Sequence, residues 1–327
     1  MKFLVTGSAG HLGEAMMRTL QSLGYDAAGI DLIASPFTSR QGSITDRSFV
    51  QDCMQGISTV FHTATLHKPH VATHSLQQFI DTNITGTLNL LEAAVEAGVQ
   101  QFIYTSTTSV FGDALVPPPG QPAAWITEDT VPVPKNIYGT SKAAAEDLCQ
   151  LFYRNRGLAC VVLRTSRFFP EDDDDQSKRK AYPSDNLKAN EYLYRRVDIE
   201  DVVTAQLLAA EKAKAIGFGR YIISATPPFS TTDLQALRDN APAVVQRLVP
   251  EYAAEYERRG WKMLPELDRV YVNQKAREEL GWQPRYDFRQ VIAHLQQGKS
   301  IQSPMARLIG IKGYHADAFR DGIYPLG

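Results

Sequence analysis

The sequence predicts an α/β fold, in which a doubly wound parallel sheet carries a smaller, mostly helical C-terminal lobe. Up to about residue 225, apolar strand-forming runs alternate with amphipathic helical patterns, as a parallel sheet requires. After that point helical patterns dominate. The first strand, at residues 3–6, runs into three glycines spaced three residues apart, and a helical pattern follows. We therefore expect the chain to open with a strand, a tight turn and a helix.

Gly7, Gly10 and Gly13 predict a phosphate-binding turn at the start of the sheet. Such a turn uses glycine to bend sharply, to let the backbone approach a pyrophosphate, and to pack the helix against the strand. The N-terminus of the helix then faces the anion. An ordinary βα turn is the alternative for an isolated glycine trio, so a Rossmann-type site needs support from later residues.

Asp31 provides that support. A second strand at residues 25–30 leads into this aspartate, 18 residues beyond Gly13. An acid at this place can accept hydrogen bonds from the adenosine ribose of NAD, whereas a 2′-phosphate would need an arginine. NAD is therefore favoured over NADP, although Arg40 is an arginine that could meet a 2′-phosphate. The alternative interpretation is that Asp31 has no ligand and merely ends a strand, since Asp is common in turns.

Composition narrows the classes of partner. The 327 residues are 43% hydrophobic and 21% charged, which is ordinary for a globular protein with a sizeable core. The sequence has 34 Lys and Arg residues and 36 Asp and Glu residues, so it has no excess of positive charge to attract nucleic acid or an anionic membrane surface. No run approaches 18 uncharged apolar residues, so a cytoplasmic protein is expected. Cys53, Cys149 and Cys160 lie in apolar patterns and are predicted to be reduced and buried.

The next elements continue the alternation and end near residue 165. In order, we predict a helix from Thr45 or Asp46 to residue 54, a strand at 57–61, a long helix at 76–98, a strand at 101–105, a proline-rich loop at 113–134, a helix at 136–156 and a strand at 158–164. The segment at 62–74 holds four of the seven histidines. Pro69 disrupts this segment and no Cys or acid joins it, so a substrate-facing loop is favoured over a metal site.

Residues 164–194 have the composition of a loop, including an acidic run at 171–175. We interpret that run as a solvated surface or a helix N-cap rather than a divalent-cation site. A helix at 198–212 and a strand at 220–224 complete the sheet, and Ser230 caps the next helix. The lobe contains helical patterns at 232–240, 244–258, 273–280 and 288–297, and an ordered tail at 309–327. The expected domains are an NAD-binding Rossmann domain at 1–165 plus about 197–225, and a substrate-binding lobe at about 166–196 plus 226–327.

Tyr138 and Lys142 are the candidate catalytic pair. Four residues apart, they share one face of a helix. A nearby ammonium and an oxidised nicotinamide would stabilise the phenolate and lower the pKa of the tyrosine from about 10. Tyr271 and Lys275 repeat the spacing, but they follow no predicted strand and no hydroxyl cluster, so we interpret them as structural. Tyr138 instead follows the cluster at 106–109, at the strand end where doubly wound sheets bind ligands.

These features resemble the extended short-chain dehydrogenase/reductases, specifically the NAD-dependent epimerase/dehydratase family, over about residues 1–225. The matching motifs are the glycine turn from Thr6 to Gly13, Asp31, His62-Thr-Ala, Asn83 in Thr-Asn-Ile-Thr-Gly, Ser106-Thr107, Tyr138 to Lys142, and Val197-Asp-Ile-Glu-Asp201. The resemblance implies that Tyr138 is the acid/base, that Lys142 lowers its pKa and binds the nicotinamide ribose, and that Thr107 holds the reacting oxygen.

The resemblance also implies the remaining site residues and a homodimer formed through the helices at 76–98 and 137–156. The expected cofactor-binding residues are Gly7, Gly10, His11, Leu12, Gly13, Asp31, Ile44, Thr63, Ala64, Asn83, Tyr138 and Lys142. The expected substrate-binding residues are Thr107, Thr108, Arg167 and His67. No metal is expected.

Three residues depart from the family pattern, two at positions that concern the substrate and one at a position that concerns the cofactor. Thr108 and Ser109 stand where dehydratases of the family have Asp and Glu; hydroxyls are too weak as acids to expel hydroxide, so 4,6-dehydration is disfavoured. Arg167 stands where an Asn usually contacts a nucleotide diphosphate. It either anchors a carboxylate or phosphate of a substrate smaller than a nucleotide sugar, or pairs with the acidic run. Ser43 replaces an aspartate that often contacts adenine.

The leading hypothesis is an NAD-dependent enzyme that moves a hydride at a secondary alcohol or ketone of a sugar-like substrate, as an epimerase does. The alternative is a net NAD(P)-dependent dehydrogenase or reductase of a smaller carbonyl or sugar-acid substrate. A third hypothesis is a non-catalytic NAD-sensing protein on the same fold.

Overall fold

The computed structural model describes residues 2–173 and 175–313. The strands are β1 (Lys2–Thr6), β2 (Asp26–Asp31), β3 (Arg40–Gln41), β4 (Thr59–His62), β5 (Gln101–Thr107), β6 (Ala124–Ile126), β7 (Ala159–Thr165), β8 (Phe218–Ile223) and β9 (Arg269–Tyr271). The helices are α1 (His11–Ser22), α2 (Arg47–Cys53), α3 (Leu76–Phe79), α4 (Gly86–Glu96), α5 (Ile137–Arg156), α6 (Gln176–Ala181), α7 (Ser184–Glu191), α8 (Ile199–Ile216), α9 (Leu234–Leu248), α10 (Tyr252–Arg259), α11 (Gln274–Glu279), α12 (Phe288–Gln296) and α13 (Pro304–Ile309).

A seven-stranded parallel sheet forms the centre of the protein, with the strand order β3-β2-β1-β4-β5-β7-β8. The order reverses between β1 and β4, and a sheet of this kind binds its ligand at the carboxyl ends of the strands beside such a reversal. Helices cover both faces: Met16, Leu20 and Tyr221 belong to one buried cluster, and Leu90 and Phe102 to another. The predicted doubly wound Rossmann-type fold is confirmed.

The helix predicted at 76–98 is interrupted by a π-helical segment, Ile80–Thr85, between α3 and α4. Asn83 lies in this segment, and its side chain bonds the loop after β4 instead of solvent. A π segment of this sort is often found at a functional site, since it redirects one side chain without ending the helix. Hydrophobic periodicity carries no signal for it.

A second, two-stranded sheet corrects the prediction that residues 113–134 are only a loop. β6, in that region, pairs in parallel with β9 of the C-terminal lobe. Tyr271 is the last residue of β9, so the prediction that it follows no strand is wrong. Lys275 lies over the ring of Tyr221, 5.0 Å from its centroid.

The region predicted to be a loop at 164–194 contains α6 and α7. Within its acidic run, Asp175 caps α6, as expected, by accepting a hydrogen bond from the Ser177 amide. Glu171 and Asp173 are instead buried, so a solvated surface is the wrong description of them. Asp173 pairs with Arg195, and Asp174 lies outside the described residues.

The C-terminal lobe has its own buried cluster, which includes Leu237, Val245 and Phe288. The chain then returns to the sheet, because Trp282 and Ile309 pack into the same cluster as α1 and α8. The tail predicted at 309–327 is described only as far as residue 313. Cys53, Cys149 and Cys160 are buried, as predicted. Within the described residues, no helix has the length and apolar composition needed to cross a bilayer.

Candidate active site

A cavity of about 970 Å³ lies along the carboxyl ends of β1, β2, β4, β5 and β7. Every residue predicted to bind cofactor or substrate lines it except Asn83. The predicted residues that line it are Gly7, Gly10, His11, Leu12, Gly13, Asp31, Ile44, Thr63, Ala64, His67, Thr107, Thr108, Tyr138, Lys142 and Arg167. Residues from distant parts of the sequence thus meet in one cavity.

The glycine turn forms the floor of one end of the cavity. Gly7 has φ of +70°, and a Cβ placed there would lie 2.8 Å from Ala64 Cα. A Cβ on Gly13 would lie 1.9 Å from the Gly7 carbonyl oxygen, which is a direct clash. Glycine is therefore required at both places, and the open turn leaves the N-terminus of α1 exposed to an anion. This cradle fits the pyrophosphate of a dinucleotide.

His62 braces the loop opposite the turn. The Thr6 hydroxyl accepts hydrogen bonds from the Thr63 and Ala64 amides, at 3.2 and 3.1 Å, so its own proton is directed to His62 Nδ1, 2.8 Å away. Nε2 then carries the ring proton and donates to Thr87 Oγ1 at 2.9 Å. Burial lowers the pKa of His62 well below its usual value, which keeps the ring neutral. The sequence motif that contains His62 gives no indication of this bracing role, which depends on Thr6 and Thr87.

Asp31 lies at the adenosine end of the cavity, at the end of β2. Its two carboxylate oxygens accept the Ala9 and Ile33 amides, each at 2.9 Å, and each oxygen keeps a second lone pair for a ribose hydroxyl. Arg40 stacks on Phe49 and is not among the described residues that line the cavity. The arginine that a 2′-phosphate would need is therefore not supplied by Arg40.

Tyr138 and Thr107 meet at the other end of the cavity, where the Thr107 hydroxyl hydrogen-bonds the tyrosine. Burial raises the pKa of Tyr138 to about 12, and the bond to Thr107 opposes that rise. The hydroxyl proton of Ser106 is already used in a hydrogen bond, because this hydroxyl donates to Glu146 at 2.6 Å. Thr107, Thr108 and Ser109 are the other hydroxyl side chains at this strand end that line the cavity.

Lys142 lies one turn after Tyr138 on α5. Its ammonium donates to the Thr105 carbonyl at 2.6 Å and lies 4.2 Å from the centroid of the Tyr104 ring. Burial lowers the pKa of Lys142 to about 7, and Glu146 opposes that change. In the protein alone, the pKa of Tyr138 is raised rather than lowered, so the expected lowering by Lys142 is not present without a bound cofactor.

Asn83 does not line the cavity but holds one of its walls. Its carbonyl oxygen accepts from the Leu66 amide at 2.8 Å and from the Thr65 hydroxyl at 2.9 Å, and its amide donates to Leu66 and Ser141. The side chain therefore joins the loop after β4 to helix α5. Its predicted contact with the cofactor stays a prediction.

His67 and Arg167 occupy the wall above Tyr138. The His67 ring lies 6.1 Å from that of Tyr138 and 5.3 Å from that of Phe169. Arg167 donates through Nη2 to the carbonyls of Glu171 and Asp172, at 3.0 and 2.7 Å. These contacts are made to the backbone of the acidic run, and the predicted contact of Arg167 with an anionic group of the substrate stays a prediction.

Comparison with known proteins now gives the family. The sequence model of the NAD dependent epimerase/dehydratase family matches residues 3–223. The chain belongs to this family. The predicted family is thereby confirmed, and its description names NAD as the cofactor of the family. The residues of the glycine cradle and Asp31 fit that cofactor.

Two curated relatives and one solved structure illustrate the likeness. A UDP-glucose 4-epimerase of Erwinia amylovora is 33% identical over 183 residues, 50% of this chain and 52% of the relative. A 3-beta-hydroxysteroid dehydrogenase of Mycolicibacterium neoaurum is 34% identical over 119 residues, 33% of this chain and 32% of the relative. The chain thus spans about a third to a half of the length of these relatives. A short-chain dehydrogenase/reductase superfamily protein of Agrobacterium tumefaciens, solved with bound NAD, shares the fold with a TM-score of 0.65 at 22% identity, over 91% of this chain and 96% of that one.

Several residues that line the cavity were not among the predicted site residues, and Phe169, Arg195, Arg269 and Tyr271 are examples. Phe169 comes from the region interpreted as a loop, Arg195 directly follows that region, and Arg269 and Tyr271 come from β9. A three-residue strand is too short for alternation to reveal. The two aromatic residues at 168–169, before a proline, are the one signal that could have indicated a buried wall in the loop.

Proposed function

We propose that the protein is an NAD-dependent epimerase or oxidoreductase that transfers a hydride at a secondary alcohol or ketone of a sugar-like substrate. The observation that carries this proposal is the meeting of Thr107, Tyr138 and Lys142 in the cavity that also contains the glycine cradle. Thr107 would hold the reacting oxygen, and Tyr138 would accept or return its proton. The named UDP-glucose 4-epimerase among the relatives supports a sugar substrate.

Bound NAD⁺ would supply the hydride acceptor and a positive charge in the cavity, and that charge favours the phenolate of Tyr138. The chain's own contribution is positional. Thr107 hydrogen-bonds the tyrosine, and Lys142 holds its ammonium on the same face of α5. Thr108 and Ser109 also line the cavity but offer no carboxyl acid, which argues against 4,6-dehydration.

Tyr138→Phe tests the catalytic assignment. We expect this variant to bind NADH as the wild type does, measured by fluorescence titration, and to lose turnover. A screen of sugars, sugar acids and nucleotide sugars with NAD⁺, which follows absorbance and product stereochemistry together, supplies the substrate. Turnover that survives in Tyr138→Phe would refute the role of the tyrosine.

Net oxidation is the second candidate, since a hydroxysteroid dehydrogenase is also among the relatives. The two reactions need the same three residues and differ in whether NADH leaves the protein. NADH that accumulates in the screen would identify a dehydrogenase, and inverted product without NADH would identify an epimerase.

We further propose a homodimer through α3, its π segment and α5. Large apolar side chains are exposed there: Leu76 and Ile80 at 65% and 38%, and Leu151 and Tyr153 at 39% and 38%. Such side chains favour burial against a second copy. The molar mass in solution, measured by light scattering, tests this proposal. The wild type should have the mass of a dimer and Leu76→Glu that of a monomer, and a monomeric wild type would refute the proposal. A cytoplasmic location stays a prediction.

A further inference from the structure

A buried carboxylate lies on the helix that carries the candidate catalytic pair. Tyr138, Lys142 and Glu146 follow one another at intervals of four residues on α5, so they share one face of the helix over two turns. Glu146 is 1% exposed, and it is not among the described residues that line the cavity. Burial removes a carboxylate from water at a large cost in free energy, so its contacts must replace that water.

Both oxygens of the Glu146 carboxylate are held by hydrogen bonds. Oε1 accepts from the Ser106 hydroxyl at 2.6 Å, and Oε2 accepts from Arg164 Nη2 at 2.7 Å. Arg220 also donates to Oε2, through its Nε at 3.0 Å. These three partners belong to three neighbouring strands, β5, β7 and β8. The carboxylate therefore has a fixed position between the helix and the sheet.

The ion pair between Glu146 and Arg164 is buried on both sides, because the two side chains are 2% and 4% exposed. In such a pair the cost of desolvation offsets most of the attraction, and apolar side chains of similar volume often stabilise a fold equally well. The core beside this helix is otherwise apolar, since Ala145 belongs to the same buried cluster as Leu90 and Phe102. Packing of α5 on the sheet therefore does not by itself account for a charge at Glu146.

The charge that Glu146 can affect is the Lys142 ammonium, one helix turn away. Burial lowers the pKa of Lys142 to about 7, and Glu146 exerts the largest opposing effect. Without the carboxylate the pKa of Lys142 would fall further, so most of these side chains would be neutral amines at pH 7. An ammonium stabilises the phenolate of a nearby tyrosine, here Tyr138, whereas a neutral amine does not.

The other ionisable groups that face the Lys142 ammonium are neutral near pH 7. They are Tyr138 and Cys149 on α5, Tyr104 on β5, His62 on β4 and His67 in the loop after β4. Burial lowers the pKa of both histidines and raises the pKa of both tyrosines and of the cysteine. Among the described residues that face this ammonium, Glu146 is therefore the one that brings a negative charge.

We propose that Glu146 is a positioning residue that acts through Lys142: its carboxylate, held by three strands, places a fixed negative charge one helix turn from the ammonium. This inference rests on the proposed function and deepens it by naming the residue that keeps the cation of the catalytic pair charged. Ser106, which precedes Thr107 on β5, is thereby assigned to the support of this carboxylate instead of to the substrate.

A double-mutant cycle tests the effect of Glu146 on Lys142 without turnover. The free energy of unfolding of Glu146→Gln is measured by urea denaturation at pH 6 and pH 9.5, with Lys142 present and with Lys142→Met. The folded lysine carries its proton at pH 6 and has lost it at pH 9.5. We therefore expect Glu146→Gln to cost more stability at pH 6 than at pH 9.5 when Lys142 is present. In Lys142→Met the cost should be the same at both pH values.

Arg220→Gln should have the opposite effect, since it keeps the carboxylate and removes one of its two cations. The Arg220 side chain is 22% exposed, so this variant keeps the proposal testable if Glu146→Gln does not fold with Arg164 unpaired. The pH at which folded Lys142 loses its proton follows from the stability difference from Lys142→Met in each background. That pH should move about one unit lower in Glu146→Gln and should move higher in Arg220→Gln.

Asp147→Asn is the matched control. Asp147 is the next residue on α5, and its carboxylate also pairs with Arg220, at 2.8 Å, but its side chain is 77% exposed. Water screens a charge at this position, so Lys142 should lose its proton at the same pH as in the wild type.

The pH profile of kcat/KM gives a second readout once the screen has supplied a substrate. Its basic limb should begin at lower pH in Glu146→Gln, because Lys142 loses its proton sooner, and should stay in place in Asp147→Asn. The proposal is overturned if Glu146→Gln, with Lys142 present, costs the same stability at both pH values, or if the basic limb does not move. The double-mutant cycle needs no turnover, so its outcome is independent of the Tyr138→Phe result.

Discussion

Glu171 Oε1 lies 2.7 Å from Nε2 of His11, the first residue of α1. The same oxygen accepts the backbone amides of Lys312 and Gly313, at 3.2 and 3.4 Å. Burial alone would raise the pKa of Glu171, but the hydrogen bond with His11 and the charge of that ring lower it below the usual value. Glu171 thus joins the segment after β7 and a C-terminal segment to the helix terminus at the phosphate cradle.

We expect Glu171→Gln to release NADH faster than the wild type, by roughly tenfold. His11, Lys312 and Gly313 all line the cavity, so loosening their shared acceptor opens its pyrophosphate end. Stopped-flow displacement of NADH, followed by fluorescence, measures the rate. Asp172→Asn, which changes an exposed carboxylate of the same run, is the control and should release NADH at the wild-type rate. Equal rates in Glu171→Gln and wild type would contradict the expected role.

Gly13→Ala should abolish NAD binding or prevent stable folding, because the new Cβ would lie 1.9 Å from the Gly7 carbonyl oxygen. Gly10→Ala is the milder control, since its Cβ would lie 3.2 Å from the same oxygen. We expect Gly13→Ala to lose about 1–3 kcal/mol more free energy of unfolding than Gly10→Ala. Its melting temperature should therefore drop by several degrees more than that of Gly10→Ala. If both variants melt together and bind NADH equally, the packing explanation for the third glycine is wrong.

The elements that carry the predicted site residues, and the edge of the sheet at which they lie, are set by local patterns. The glycine turn, Asp31 and the pair Tyr138 and Lys142 each lie on one element, and the order of strands and helices places them at one edge of the sheet. Periodicity and turn chemistry act over a few residues, so a single sequence contains the information.

The parts that the sequence could not provide depend on contacts between distant segments. Glu171 is buried only because His11 and Lys312, from the two ends of the chain, meet it. β6 and β9 are each three residues long and exist because they pair with each other. The pairing of β6 with β9 places Arg269 in the wall of the cavity. No local sequence pattern distinguishes this residue from an ordinary surface arginine.

Lys142→Met should stabilise the protein in the absence of NAD while it removes activity. Burial lowers the pKa of Lys142 from its usual 10.5 to about 7. Between these two values the unfolded chain binds more protons than the folded one, so the contribution of Lys142 to stability is complete above 10.5 and is lost as the pH falls through 7. We expect the variant to gain roughly 2–4 kcal/mol below pH 7 and progressively less up to pH 10.5.

Urea denaturation at pH 6.5 and 9.5 measures this difference. Lys135→Met is the control, because Lys135 has an exposed side chain beside the same helix and pairs with Asp113. It should show no comparable gain at either pH. A Lys142→Met variant that is less stable than wild type at pH 6.5 would show that the ammonium stabilises the fold through its bond to Thr105.

Asp201→Asn should change how stability depends on pH, because this carboxyl fastens the C-terminal lobe to α8. Asp201 is 1% exposed and accepts the backbone amides of Arg285 and Tyr286, at 2.8 and 2.9 Å. Burial raises the pKa of Asp201 to about 7, against the opposing effect of these hydrogen bonds. A carboxyl with a raised pKa contributes stability that is complete below its unfolded value, near 3.8, and is lost as the pH rises through 7. The Asn side chain does not ionise. The difference in unfolding free energy between the variant and the wild type should therefore change in favour of the variant by roughly 2–4 kcal/mol from pH 5 to pH 8.

Urea denaturation at those two pH values measures this change. Asp287→Asn, at the N-cap of α12, is the control, and its difference from wild type should change little between the two pH values. A difference between Asp201→Asn and wild type that is the same at both pH values would show that the carboxylate stays ionised throughout and is stabilised by the two amides.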